Sequence, residues 1–281
     1  MIEVKNLSFG YGHKQLLFEG LNLKLHKGHI YGLLGKNGAG KSTLLKNMAG
    51  LAFPAKGSCL FNGHNVADRN VAVLEDMYFI AEELFVPSLT PFQFAASTAG
   101  FYPRFSPADF DQYLNMFDVD PRAVMDRQSF GQQKKAMIAF ALAANTSLVI
   151  MDEPTNGLDI PSKMQFRKLI ASVLTEDRCM VISTHQVRDL DSLIDTILIL
   201  DEKEIAVNRS LDEIAEKLTF NTYADTEGLP VLYEEETMRG KNAILLNQSG
   251  RYSKVDMELL FNAVTGRNRQ VLKILNGTQH E

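Results

Sequence analysis

The stretch Gly35-Lys36-Asn37-Gly38-Ala39-Gly40-Lys41-Ser42 constrains the fold most, because it fits the phosphate-binding pattern G-x-x-x-x-G-K-[ST]. That pattern works only between a strand and a helix, and both flanks are present. Ile30-Tyr31-Gly32-Leu33-Leu34 is a short apolar run that reads as a buried strand. Residues 42–49 carry Leu44, Leu45 and Met48 at helical spacing and stop at Gly50. Glycines let the loop curl so that its N–H groups point inward at phosphate oxygens, aided by the positive end of the helix. Lys41 then reaches the β- and γ-phosphates, and the Ser42 hydroxyl is placed to ligate magnesium. Gly35, Asn37, Gly38, Ala39, Gly40 and Thr43 complete the expected triphosphate-binding set. An ordinary glycine turn is the competing reading, and the flanks argue against it.

The 281 residues allow one large domain or two small ones. A hydrophobic content of 45% with 22% charged residues is that of an ordinary globular chain. The net charge of −5 argues against non-specific nucleic-acid binding, so no nucleic-acid partner is expected. Cys59 and Cys179 are far apart and in no metal-ligand pattern, which suggests two reduced, buried thiols. The uncharged, largely apolar run of residues 136–151 is too short to cross a bilayer. Met1-Ile2-Glu3-Val4-Lys5 lacks the layout of a signal peptide. A cytoplasmic location is expected, with any membrane role supplied by a partner.

Along the chain, residues 2–27 alternate apolar and polar positions, as antiparallel strands do, and residues 58–66 add a strand and turn around Asn62-Gly63. Pro91, Pro103, Pro107 and Pro121 then punctuate short helical stretches such as 108–117, which predicts a helical insertion over about 88–135. Strand-like runs return at 148–151, 179–183 and 196–200, with helical segments between and a last strand at 204–207. Such alternation indicates a parallel sheet covered by helices on both faces. From about Phe220 the texture changes again: strands at 231–235 and 242–247 and an amphipathic helix at 256–264 suggest a small α+β extension. The expected architecture is therefore α/β, a phosphate-loop core with an amino-terminal antiparallel β subdomain, a helical insertion and that extension. The expected division is 1–219 and 220–281.

Leu148-Val149-Ile150-Met151 leads directly into Asp152-Glu153-Pro154. A carboxylate at the tip of a buried strand beside the phosphate loop is well placed to hold Mg²⁺, and the adjoining Glu153 to deprotonate the attacking water. A plain strand-to-turn exit is the bland alternative for these three residues.

Together these motifs resemble an ATP-binding-cassette (ABC) ATPase subunit, and the likeness covers roughly residues 1–219 in the family's motif order. Ser129-Phe130-Gly131-Gln132 is similar to the family signature, with Gln128 where leucine is usual and Phe130 where glycine is usual. Thr155-Asn156-Gly157-Leu158-Asp159 resembles the loop after the acidic strand, and Ser183-Thr184-His185 the switch histidine. Tyr11 sits where the family places an adenine-stacking ring, with packing on the sheet edge as the simpler reading. Ser129 fits equally as a helix cap. The other five histidines form no metal cluster in the sequence. Glu82 stands where the family commonly has a metal-contacting glutamine, with Glu83 adjacent to it. A glutamate can ligate but, when ionised, cannot donate a hydrogen bond.

The resemblance implies ATP and Mg²⁺ as cofactors and ATP hydrolysis as the activity. Glu153 and His185 are then catalytic, and Ser42, Asp152 and Glu82 contact the metal. Ser129, Gly131 and Gln132 serve the site of a second ATPase subunit, identical or homologous. Integral membrane transporter subunits are the implied partners, with the chain peripheral on the inner face of the cell membrane and transport outward. The alternatives from other classes are a soluble ABC ATPase acting on ribosomes or DNA, and a weakly active cassette paired with an active sibling.

Overall fold

The computed structural model describes residues 1–12, 16–238 and 240–277 of the chain. β1 (Ile2–Phe9) and β2 (Phe18–Leu25) pair antiparallel, with Ile2 opposite Leu25. β3 (Ile30–Leu34) is buried at every position, as a strand covered on both faces must be. It runs into the glycine loop and α1 (Lys41–Met48). β4 (Lys56–Phe61) and β5 (His64–Asn65) return to the first sheet, whose order is β2-β1-β4-β5.

α2 (Val71–Leu74) precedes β6 (Met77–Ile80), a strand the sequence pattern did not single out. The insertion follows as α3 (Pro91–Thr98) and α4 (Pro107–Met116), each with a first-turn proline and a hydroxyl cap from Thr90 or Ser106. α5 (Phe130–Ala143) runs across the boundary expected near residue 135. Residues 138–143, including Ile138, Phe140 and Leu142, are fully buried and belong to the core.

β7 (Leu148–Asp152), α6 (Ile160–Val173), β8 (Cys179–Thr184) and β9 (Thr196–Asp201) complete the central layer. The six-stranded sheet has order β10-β9-β3-β8-β7-β6, in which only β10 (Glu204–Ser210) is antiparallel to its neighbour. Parallel pairing sends the carboxyl ends of β3, β8, β7 and β6 to one edge. The glycine loop, His185 and Glu82 follow three of those ends and Asp152 forms the fourth, which is where α/β sheets collect their ligands.

α7 (Leu211–Lys217) leads to a three-stranded sheet of β11 (Leu218–Tyr223), β12 (Val231–Thr237) and β13 (Gly240–Leu246), in order β11-β13-β12. α8 (Met257–Thr265) and α9 (Arg269–Asn276) close the described chain. The small sheet thus begins at Leu218, two residues before the expected division. Phe220, Ile244, Leu260 and Val271 lie in the same buried cluster as Phe140 and Ile182 of the central layer. The extension and the central sheet share one core.

Cys59 and Cys179 are 1% and 0% exposed, and burial pushes each thiol up to about 12. Neither thiol is expected to react with iodoacetamide at pH 8 in the folded protein, while both should react in denaturant. Mass spectrometry after a timed pulse reads this directly, and rapid labelling of either native thiol would contradict the packing.

Candidate functional site

The glycine loop is shaped by contacts that a side chain would spoil. Gly40 caps α1 at φ 106°, and a Cβ there would stand 2.8 Å from Phe18 Cζ. Lys41 follows as the first helical residue and is 7% exposed, with Nζ donating to Gly35 O at 2.8 Å and to Lys36 O at 3.4 Å. Burial lowers the affinity of this ammonium for its proton, and the charges of Glu153, Asp152 and Glu82 oppose that effect. Three carboxylates therefore bear electrostatically on Lys41.

An open cleft of about 590 Å³ brings together Tyr11, Asn37, Gly38, Gly40, Lys41, Ser42, Thr43, Glu82, Glu153 and His185. Leu17 also lines it, a residue with no motif signal. Gly35 and Ala39 shape the loop from behind, through Gly35 O and the Ala39 N–H to Lys36 O bond of 3.1 Å. The Tyr11 ring packs edge-on to Phe9 at 5.0 Å, and the residue remains 75% exposed. Its hydroxyl is tied to Thr43 Oγ1 at 2.8 Å, which fixes the ring over the start of α1. Glu82 lines the cleft and Glu83 does not.

The acidic side is organised by Ser183, quoted in the sequence only as part of the switch motif. Its hydroxyl donates to Asp152 Oδ1 at 2.5 Å and accepts from the Glu153 N–H at 3.0 Å. Glu153 is left-handed, at φ 46°, and its N–H also bonds Ser183 O at 3.2 Å. A non-glycine residue in that region costs on the order of 1 kcal/mol or more and persists where neighbours over-determine it. Its carboxylate is 5% exposed; Oε1 faces His185 Nδ1 at 2.9 Å, and Oε2 is buried with no hydrogen-bond partner among the described residues. A buried carboxylate oxygen without a donor is an acceptor waiting for a proton or a cation.

Hydroxyl and carboxylate oxygens are the donor set here, which suits a hard cation such as Mg²⁺. Among the described residues no group of three or more histidine, cysteine or acidic side chains is arranged around one point. A cation here would accordingly take part of its shell from phosphate oxygens and water, as Mg²⁺ ordinarily does.

Ser129, Gly131 and Gln132 do not line this cleft. Ser129 caps α5, its Oγ accepting from the Gln132 N–H at 3.3 Å, while Gly131 approaches Gly157 so closely that a Cβ would stand 3.0 Å from its carbonyl oxygen. The turn after β7 is held from its other end by Thr155 Oγ1, which donates to Asp189 Oδ2 at 2.7 Å, and Asp189 is paired in turn with Lys163 at 2.7 Å. No sequence pattern pointed to Asp189 or Lys163, which lie in segments that read as polar surface.

The chain matches the family profile described as ABC transporter over residues 18–156. It is 26% identical over 257 residues to the ABC transporter ATP-binding protein YtrB of Bacillus subtilis (strain 168), a match that covers 91% of this chain and 86% of that protein. The lantibiotic transport ATP-binding protein SrtF of Streptococcus pyogenes is 29% identical over 220 residues, which covers 75% of this chain and 92% of that protein. Among solved structures, the ATP binding subunit of an ABC transporter superposes with a TM-score of 0.69 at 28% identity, over 76% of this chain and 91% of that one.

Proposed function

Because the chain belongs to the ABC transporter family and is an ABC-type ATPase, we propose that it powers a membrane transporter by closing on a second ATPase subunit around bound ATP. One observation carries this reading: the glycine loop and Glu153, the residue that follows the acidic strand, line a single cleft that also contains Lys41, Ser42 and His185. In that cleft the loop N–H groups and Lys41 hold the triphosphate. The exposed ring of Tyr11 offers a face for adenine. Magnesium, when bound, neutralises phosphate charge; Ser42 and Asp152 would hold it, with Glu82 beside them.

Hydrolysis then needs a base for the attacking water and a hydrogen-bond donor to the γ-phosphate. Glu153 orients the attacking water and takes its proton on the unpartnered Oε2. His185 orders Glu153 through Nδ1 and, when protonated at Nε2, donates to the γ-phosphate. Ser129 and Gly131, at the amino end of α5 and outside their own cleft, are assigned to the γ-phosphate in the partner's cleft. Closure of the pair therefore depends on an intact γ-phosphate and is released by its loss.

Membrane attachment through partners is supported by exposed apolar side chains. No helix among the described residues is long and apolar enough to cross a membrane. Exposed apolar side chains occur in the chain before and within the helical insertion, with Val71 71%, Phe85 91% and Phe101 72% exposed. We place the chain on the inner face of the cell membrane against integral transporter subunits, with outward transport as the direction its family likeness favours. Gentle detergent extraction with a tagged chain should retrieve a polytopic partner, and recovery of the ATPase by itself from native membranes would defeat the transport assignment. Inverted vesicles that hold the recovered complex test direction, since outward transport in the cell appears there as ATP-driven uptake.

A further inference from the structure

Lys134 lies one turn into α5 and is 0% exposed. A buried ammonium persists only where oxygens take the place of water. Lys134 Nζ donates to Glu153 O at 2.9 Å and to Asn156 O at 3.2 Å, and the Phe130 ring lies 4.9 Å from it. One cation thus spans both ends of the turn whose first residue is the left-handed Glu153. The same turn reaches Glu82, because Asn156 Nδ2 donates to Glu82 Oε1 at 3.1 Å. Phe130 closes the cluster from above: a Cβ on Gly157 would stand 2.7 Å from its Cδ1, so ring and turn fit only with glycine there.

Charge agrees with geometry. Burial lowers the proton affinity of Lys134, and the carboxylates of Glu82, Glu153 and Asp152 work against that, with Glu82 the largest. The negative charge at Glu82, where the family commonly carries a neutral amide, has its counter-charge inside this chain.

We infer that Lys134 is a positioning residue for ATP hydrolysis: it locks the Glu153–Asn156 turn to α5, and so joins the base of one cleft to the helix start that serves the other. The inference rests on the ATPase reading above. Since the alignment of a general base is worth up to about 10²-fold in rate per ångström of misplacement, the expected effect falls on kcat. Lys134→Met should lower kcat by about 10²-fold and leave the Kd for MgATP unchanged. Lys134→Gln, which keeps two N–H donors but no charge, should fall between Lys134→Met and the parent.

The test is steady-state phosphate release together with fluorescent-nucleotide titration of the full chain, with melting curves to follow folding. A kcat loss at constant Kd sustains the inference. Parental kcat in both variants overturns it, and so does a parallel loss of kcat and nucleotide-binding capacity, which marks a merely structural lysine. If Lys134→Met does not fold, Lys134→Gln decides by the same two criteria. A parent chain that releases no phosphate from MgATP overturns the ATPase reading and this inference together, whereas active variants overturn the inference alone.

Discussion

Glu153→Gln is expected to slow ATP turnover by about 10²- to 10⁴-fold, the usual worth of a positioned base, with nucleotide affinity intact. The substitution is nearly isosteric, and the surroundings of Glu153 should tolerate it. Its N–H is held by Ser183 Oγ at 3.0 Å and its carbonyl by Lys134 Nζ at 2.9 Å, and neither contact involves the side chain. An amide oxygen can still accept from His185 Nδ1, as Oε1 does at 2.9 Å. What changes is the other position, now the buried and unpartnered Oε2. There an NH₂ group replaces an oxygen that can take a proton, so the bond network survives and the proton acceptor is gone. With the γ-phosphate uncleaved, the closed two-chain state should accumulate. Size-exclusion chromatography with ATP reads that as a shift from one chain to two, and phosphate release reads the chemistry. Equal release from variant and parent would remove Glu153 from the mechanism.

The parts of the fold legible in sequence are those where local chemistry and tertiary position demand the same thing. β3, the glycine loop and α1 are one such unit, because the pattern fixes both the turn and what must flank it. β7, β8 and β9 are another, since strands buried on both faces must be apolar throughout. β6 escaped because its four residues carry no flanking turn signal and it sits at the sheet edge. α9 escaped for a related reason: only Val271 and Leu275 are buried, in a segment otherwise polar enough to read as tail. The candidate site divides the same way. The cleft residues of the glycine loop, Glu153 and His185 lie within sequence motifs, whereas Lys134 lies in the polar run Gln132-Gln133-Lys134-Lys135, which reads as a solvated helix face. Its burial is decided by the Glu153 turn, 19 residues further along the chain, and no local pattern encodes that contact. The shared core between extension and central sheet is likewise a long-range property, invisible to periodicity.

Lys41→Ala is expected to weaken MgATP binding by about 30-fold to more than 10³-fold, because truncating a buried, charge-assisted partner costs roughly 2–5 kcal/mol and each 1.4 kcal/mol is tenfold. Two roles for this lysine compete. As a staple, Nζ holds the loop through Gly35 O at 2.8 Å and Lys36 O at 3.4 Å, and its loss would relax the loop whether or not nucleotide is present. As a phosphate ligand, it supplies the cation that offsets Glu153, Asp152 and Glu82, whose charges bear on it directly. Without it a triphosphate must enter a cleft dominated by carboxylates, and Lys134 cannot substitute because its Nζ is committed to Glu153 O and Asn156 O. The two roles separate by magnitude. Loss of ordinary hydrogen bonds costs about 1 kcal/mol each and should lower the melting temperature of the nucleotide-free chain only modestly. Loss of the phosphate partner should also abolish the extra thermal stabilisation that MgATP gives the parent, since that term scales with occupancy. Calorimetric titration with MgATP and melting curves with and without nucleotide measure both. A variant that binds MgATP as tightly as the parent and melts lower would make Lys41 a staple and nothing more.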